Sequence, residues 1–257
     1  MDGKSLYRET PYFRAFPDPT DVFANRVKKH SSFLLPVATL SLKHLSRKWD
    51  GNIHFVMPIE PCGGYGLPGE DTNRYHNFLC RPNWIGYGLV GDKCELACDF
   101  RFFHKAYFAQ NPPNTDIARK EAAELSSHYR QIRQEFARHA RFFKEHGWLC
   151  QSPERWTGVK KDMSWMRVPL VRDLGGVSFD ANWSNGGDFP ISQYPDSYED
   201  RGKRYDCDRV VPQTEDGRDF HFVGEVEMWN FIGPTNGVLV LFFDPKDRVA
   251  LTTIDWT

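Results

Sequence analysis

The sequence has 257 residues, 33 basic and 34 acidic side chains, a formal net charge of −1 and 40% hydrophobic residues. These values exclude a disordered or collagen-like chain and leave ample length for a buried core. The chain has no overall basic excess, so we predict no direct binding to nucleic acid. Aromatic residues make up 15% of the sequence, and 20 Gly and 17 Pro accompany them, which favours strands and turns over a helical bundle.

The first twenty residues contain charged side chains and no long apolar run, so they do not resemble a secretory signal. No stretch of sequence approaches the 18 apolar residues that a membrane span needs. We therefore expect a cytoplasmic protein that does not bind membranes. Its six cysteines should be reduced thiols.

Several segments rich in β-branched and aromatic residues are bounded by turn formers, and each predicts a strand. In chain order they are residues 31–41, 52–59, 85–90, 95–103, 220–228, 237–243 and 249–254.

One long helix is predicted over residues 115–146, between a Pro-Pro pair and Gly147. Its apolar residues recur at helical spacing. Asn114 or Thr115 can cap its start, and Gly147 suits the position after its end. The opposite face mixes Arg and Lys with Glu, which is typical of a solvated surface; a site for an anionic partner is the alternative. Together with the strands, this predicts an α+β fold with mainly antiparallel β-sheet and one long amphipathic helix packed across it.

Charge is distributed unevenly along the chain. Residues 151–257 contain 12 basic and 18 acidic residues, whereas residues 1–150 carry a net charge of +5. We expect a helix-containing N-terminal region, 1–150, and a β-rich region, 151–257, that form one compact unit. The asymmetry either marks an interaction surface or lets the two regions attract each other.

No coherent catalytic, cofactor or metal site is predicted. Residues 64–69 match G-x-G-x-x-G, but no helical pattern follows to receive a pyrophosphate. Cys94 precedes the predicted strand 95–103 directly and Cys98 lies in it, and extended geometry would place the two thiols too far apart to share one zinc ion. No nucleophile motif occurs, so we predict that the protein is not an enzyme.

The last third is rich in carboxylates interleaved with aromatic residues, a combination suited to protein recognition. Aromatic side chains would anchor a partner and charges would steer it; a solvated loop with its aromatics turned inward is the alternative. The predicted steering charges are Asp188, Asp206, Asp208, Glu215, Asp216 and Asp219, and the predicted anchors are Trp183, Tyr194, Tyr198 and Tyr205.

A series of short segments over residues 174–256 resembles the YwqG-like family. The segments are Leu174-Gly175-Gly176, Phe189-Pro190, Tyr194-Pro195, Asp216-Gly217-Arg218, and the strand sequences FHFVGEV at 220–226 and GVLVLFFD at 237–244. The resemblance implies a twisted antiparallel hairpin with aromatic residues in the core and a proline-rich loop over one edge.

The resemblance also implies a role, because many members of that family look like immunity proteins that neutralise toxins used between bacteria. We therefore expect one cognate protein toxin, for example a nuclease delivered by a secretion system, bound 1:1 with its active site or substrate face covered. The alternative is an enzyme or small-molecule-binding protein whose pocket includes the glycine-rich loop, Trp183 and histidines.

Overall fold

The computed structural model describes residues 4–61, 66–112, 114–158, 164–185, 189–200, 202–233 and 237–256. The strands are β1 (Phe13–Ala15), β2 (Leu34–Ser41), β3 (Asn52–Pro58), β4 (Trp84–Val90), β5 (Lys93–Leu96), β6 (Leu149–Cys150), β7 (Arg167–Val168), β8 (Asp173–Leu174), β9 (Ile191–Asp200), β10 (Lys203–Pro212), β11 (His221–Glu227), β12 (Val238–Asp244) and β13 (Val249–Asp255). The helices are α1 (Pro19–Val22), α2 (Val27–His30), α3 (His104–Gln110), α4 (Asp116–His146), α5 (Asn182–Asn185) and α6 (Trp229–Ile232).

The central element is a six-stranded sheet in the order β5-β4-β13-β12-β11-β8. Each neighbouring pair in it is antiparallel, and the sheet combines strands from both sides of residue 150. A three-stranded antiparallel sheet, β1-β2-β3, and two two-stranded ribbons complete the β-structure. The predicted α+β class with mainly antiparallel sheet is confirmed.

Both faces of the six-stranded sheet are buried, as the alternation of side chains along β12 shows. Leu239, Leu241 and Phe243 belong to the main core, which also contains residues of the three-stranded sheet and α4. Val238, Val240 and Phe242 point to the opposite face, into a second core with residues from the segment 183–220. The sheet therefore separates a large helix-containing core from a smaller aromatic one.

The long helix α4 has the boundaries that its sequence predicts. The Thr115 hydroxyl accepts a hydrogen bond from the Ala118 N–H at 3.2 Å, and Gly147 ends the helix with a φ of 72°. Its apolar stripe enters the main core, where Phe136 and Phe143 contact Phe16 with ring centroids 5.3 and 5.6 Å apart. The predicted long helix is confirmed, and no helix in the described ranges is both long and apolar enough to cross a bilayer.

Two predicted elements differ in the structure. The strand expected over 95–103 ends at Leu96, because the Asp99 carboxylate accepts the Arg101 N–H at 2.8 Å and caps a 3-10 turn over Phe100–Phe102. The segment after residue 190, which reads as loop-rich, forms the two longest strands of the protein, β9 and β10.

A buried carboxylate holds α3 against α4. Glu60 is fully buried and accepts hydrogen bonds from the backbone N–H groups of His104 and Lys105 and from the Tyr129 hydroxyl, the last at 2.7 Å. Burial favours neutral His104, but the hydrogen bond and charge of Glu60 outweigh burial and raise the His104 pKa above its usual value. The cluster satisfies its own polar groups, so we assign it a structural role.

Candidate functional site

The candidate site is built on the β9–β10 hairpin. Its strands pair in register over ten residue pairs, from Ile191↔Pro212 to Asp200↔Lys203. Gly202 follows the last pair of β9 with a φ of 76°, a conformation that glycine adopts without strain. Arg204 lies opposite Glu199, an opposite-charge cross-strand pair of the kind that stabilises a ribbon.

Only the base of the hairpin is embedded in the protein. Val210 is buried in the aromatic core, and Ile191 packs against the same core. The segment 178–180 pairs with β10: the Val210 N–H donates to the Ser178 carbonyl at 2.9 Å and the Ser178 hydroxyl donates to the Val210 carbonyl. By contrast, residues 203–206 are all exposed, so the distal half of the hairpin projects into solvent.

One face of the hairpin is aromatic and exposed. Tyr198 and Tyr205 stack with ring centroids 5.3 Å apart, and Phe179 lies 5.9 Å from Tyr198. Tyr194 stands on the same face nearer the base, where the Arg209 guanidinium lies 4.6 Å from its ring centroid. We call Phe179, Tyr194, Tyr198 and Tyr205 the tyrosine face; each is at least 36% exposed.

The acidic residues of β10 occupy the other face. Asp206 and Asp208 alternate with Tyr205 along the strand and therefore point away from the tyrosine face. Asp196 pairs with Cys207 across the hairpin, and both lie on the side of Tyr198 and Tyr205. The pKa of the Cys207 thiol is raised by desolvation and by the negative charges of Asp196, Asp208 and Asp206. Asp196, Asp206 and Asp208 line a shallow groove at this part of the hairpin together with Arg204, and we call this surface the acidic groove because its carboxylates outnumber its arginine.

The predicted site residues Trp183 and Glu215 do not belong to the hairpin surface. Trp183 is 5% exposed and packs against Trp84 and Phe242, so it is a core residue and not the surface anchor that we expected. The sequence pattern cannot separate a buried tryptophan from an exposed one. Glu215 is exposed on the turn after β10, and Asp188 lies outside the described residues.

Asp216 is engaged within the protein and is poorly placed to steer a partner. Its carboxylate pairs with Arg218 at 2.9 Å and with Lys246 at 3.2 Å, and the Thr214 hydroxyl donates to it at 2.6 Å. These hydrogen bonds hold the Asp216 pKa well below its usual value. Its charge is therefore largely compensated locally.

A cleft lies at the base of the tyrosine face. Its volume is about 320 Å³, and its walls include Trp49, the Gly175–Gly176 turn, Arg209, Asp219 and His221. The Trp49 and His221 rings are in contact, with centroids 4.9 Å apart. Asp219 accepts hydrogen bonds from the Tyr194 hydroxyl at 2.7 Å and from the Ser192 hydroxyl at 3.0 Å.

The cleft is formed by residues that the sequence analysis did not predict to lie together. Trp49 lies in the connection between β2 and β3, the glycines follow β8, and His221 begins β11, so only the fold brings them together. The Gly175-Gly176 pair was the one sequence signal for this cleft, because adjacent glycines indicate a turn. In the structure both residues have positive φ, 71° and 83°. A pocket does exist beside this glycine turn, but Trp183 is not among its walls.

The described residues contain no group of three or more His, Cys, Asp or Glu side chains arranged to hold a metal ion. Burial raises the pKa of Cys94 to about 12, so this thiol remains protonated at neutral pH. Cys62 lies outside the described residues.

Comparisons of the chain with protein-family models, with curated proteins and with solved structures give no match.

Proposed function

We propose that this protein is a cytoplasmic immunity protein that binds one cognate antibacterial toxin, 1:1, through the β9–β10 hairpin. In the complex, the hairpin covers the toxin's active site or the face on which its substrate binds. The observation that carries the proposal is the tyrosine face, an exposed aromatic surface on a hairpin whose base is fixed in the core.

Exposed tyrosines on a rigid element suit protein recognition. A tyrosine offers a large contact area and a hydroxyl group, and it loses little conformational freedom because only two side-chain torsions become fixed. Tyr198 and Tyr205 are already ordered by stacking on each other, which lowers the entropic cost of binding.

The charge of the hairpin narrows the choice of partner. Asp196, Asp206 and Asp208 form no salt bridge with another described residue. Arg204 lines the same groove, but the three carboxylates outnumber it, so the groove keeps a net negative charge. Carboxylates in this arrangement attract a basic surface and raise the rate of association. A nuclease toxin, whose substrate is polyanionic, presents such a surface. The YwqG-like resemblance supports the toxin class of partner.

The test is co-expression with the toxin encoded by the neighbouring gene in a susceptible bacterium, followed by titration calorimetry of the purified pair. We expect protection and a 1:1 complex. A double Tyr198→Ala/Tyr205→Ala variant should lose both, and Tyr7→Ala, which removes a tyrosine that is 45% exposed in the N-terminal segment, should lose neither.

Two results would contradict the proposal in different ways. If the wild-type protein neither protects the cells nor binds the toxin, the toxin-immunity function is wrong. If it protects and the double tyrosine variant protects equally well, the hairpin is not the interface.

A further inference from the structure

The cleft beside the tyrosine face contains a cation, Arg209, that pairs with no carboxylate of the described residues. The Arg209 guanidinium lies on the Tyr194 ring, and among the described residues no carboxylate is within ion-pair distance of it. Its Nε atom is buried and makes no hydrogen bond to a described residue. A partly buried cation of this kind is stabilised when an anion binds beside it.

The nearest carboxylate in the cleft does not fill this role. Both oxygens of Asp219 already accept hydrogen bonds, one from Ser192 and one from Tyr194. The Tyr194 ring carries Arg209 on its face and its hydroxyl donates to Asp219, so one tyrosine contacts both charged side chains of the cleft.

The glycine turn supplies further hydrogen-bond donors. The Gly175 N–H donates to the Val223 carbonyl at 2.9 Å, but within the described chain the N–H groups of Gly176 and Val177 donate to no backbone or side-chain acceptor. Both residues line the cleft with Arg209. Free backbone N–H groups beside a cation are a common arrangement for holding a small anion.

Apart from His221, the rest of the wall is apolar. Leu45 and Trp49 border the cleft, and the volume of about 320 Å³ is at the lower end of the range for small-molecule sites. A ligand that fits must therefore combine an anionic end with a compact apolar or aromatic body.

We propose that this cleft binds the carboxylate of a small apolar or aromatic acid, with the carboxylate on Arg209 and the N–H groups of Gly176 and Val177 and the apolar body on Trp49 and Leu45. A monoanion fits better than a phosphate dianion, because the negative charge of Asp219 in the same cleft repels a second charge. The carboxylate has two possible sources, a free organic acid or the C-terminus of a peptide. This inference does not depend on the toxin proposal.

The experiment titrates the full chain with phenylacetate, with its neutral analogue phenylacetamide, with inorganic phosphate, and with a tripeptide ending in phenylalanine as either free acid or amide. Calorimetry gives the affinities, and the amide resonances of Gly176 and Val177 report the binding site. We expect a free carboxylate to bind at least about tenfold more tightly than its amide and to shift both resonances.

The variant Arg209→Gln should weaken carboxylate binding at least about tenfold. Arg204→Gln is the matched control, since Arg204 is an exposed arginine on the opposite face of the same strand, and it should bind like the wild type. Thermal melts of both variants establish that they fold. The comparison of acid with amide on the wild-type protein gives a second test that needs no variant.

Binding of phenylacetate assigns the site to a free acid, and binding of the free-acid peptide alone assigns it to a protein terminus; both support the proposal. It is overturned if no carboxylate binds, if the amides bind as tightly as the acids, if phosphate binds more tightly than phenylacetate, or if folded Arg209→Gln retains full affinity.

Discussion

Tyr198 lies directly opposite Tyr205 across the β9–β10 hairpin, and the two ring planes are 16° apart. Both rings are exposed, by 47% and 36%. Stacking of this kind orders two large side chains outside the core, so the pair adds little to folding and is available for contact with a partner.

The first prediction is that substitution of Tyr198 affects partner binding more than it affects the stability of the fold. Tyr198→Ala should lower the free energy of unfolding by about 1 kcal/mol or less, because the side chain is not in the core. Its loss should weaken partner binding by about 2 kcal/mol or more if the tyrosine is a binding hot spot. Urea denaturation and calorimetry measure the two values. A loss of several kcal/mol of folding stability would show that the pair is a folding element.

The second prediction concerns the acidic groove. Charge reversal at Asp206 and Asp208 to Lys should slow association with a basic partner by about tenfold or more at low salt, and should reduce the dependence of the rate on salt. Stopped-flow mixing at several salt concentrations measures both effects.

The matched control for charge reversal is the pair Glu124→Lys and Glu145→Lys, which makes the same charge change on the exposed face of α4. Those two substitutions should leave the rate close to the wild-type value. If they slow association as much as the groove variants do, net charge and not the groove governs the encounter.

The third prediction concerns pH. His139 is 1% exposed, and burial lowers its pKa to about 4. The unfolded state therefore takes up the proton first as the pH falls below about 6.5. This residue alone should remove about 2 to 3 kcal/mol of stability between pH 6.5 and pH 4. His30 and His54 shift in the same direction and add to the acid sensitivity.

The measurement is the free energy of unfolding at several pH values for His139→Asn and for His146→Asn, a control at the exposed end of the same helix. The first variant should be less stable at pH 7 but should lose less stability on acidification. The control should keep the wild-type slope. An unchanged slope in His139→Asn would contradict the assignment.

The fourth prediction concerns the junction of the two sheets. A Cβ atom at Gly224 would lie 2.5 Å from the Asp173 carbonyl oxygen and 3.3 Å from the Phe55 ring. Gly224→Ala should cost about 1 to 3 kcal/mol, because β8 and Phe55 must both shift. Gly88→Ala, on β4, has open space for its Cβ and should be close to neutral. Equal melting temperatures for the two variants would contradict this account.

The fold was predictable where the buried residues of an element form a regular apolar pattern in the sequence. The stripe of Leu125, Tyr129 and Ile132 predicts α4 because those residues are buried at helical spacing. β12 was equally clear, since a strand buried on both faces is a continuous apolar run. The hairpin was missed for the opposite reason: both faces of its distal half are exposed, so no apolar alternation marks it.

The site was harder to predict than the fold. The tyrosines were found from composition, but their separation from Asp206 and Asp208 depends on strand register, which the loop-like sequence did not reveal. Trp183 was misplaced because a tryptophan among polar residues can be an anchor or a core residue. Arg209 gave no signal, because its role depends on a ring and a glycine turn that the fold brings beside it.

The embedded base of the hairpin has a consequence for how this protein can diversify. Val210 and Ile191 tie the hairpin to the core, whereas the distal side chains pack mainly on one another. Substitutions near the tip can therefore accumulate without destabilising the protein, and each changes the surface that a partner meets. Related proteins that bind different partners can therefore share one fold and differ mainly in the distal residues of β9 and β10.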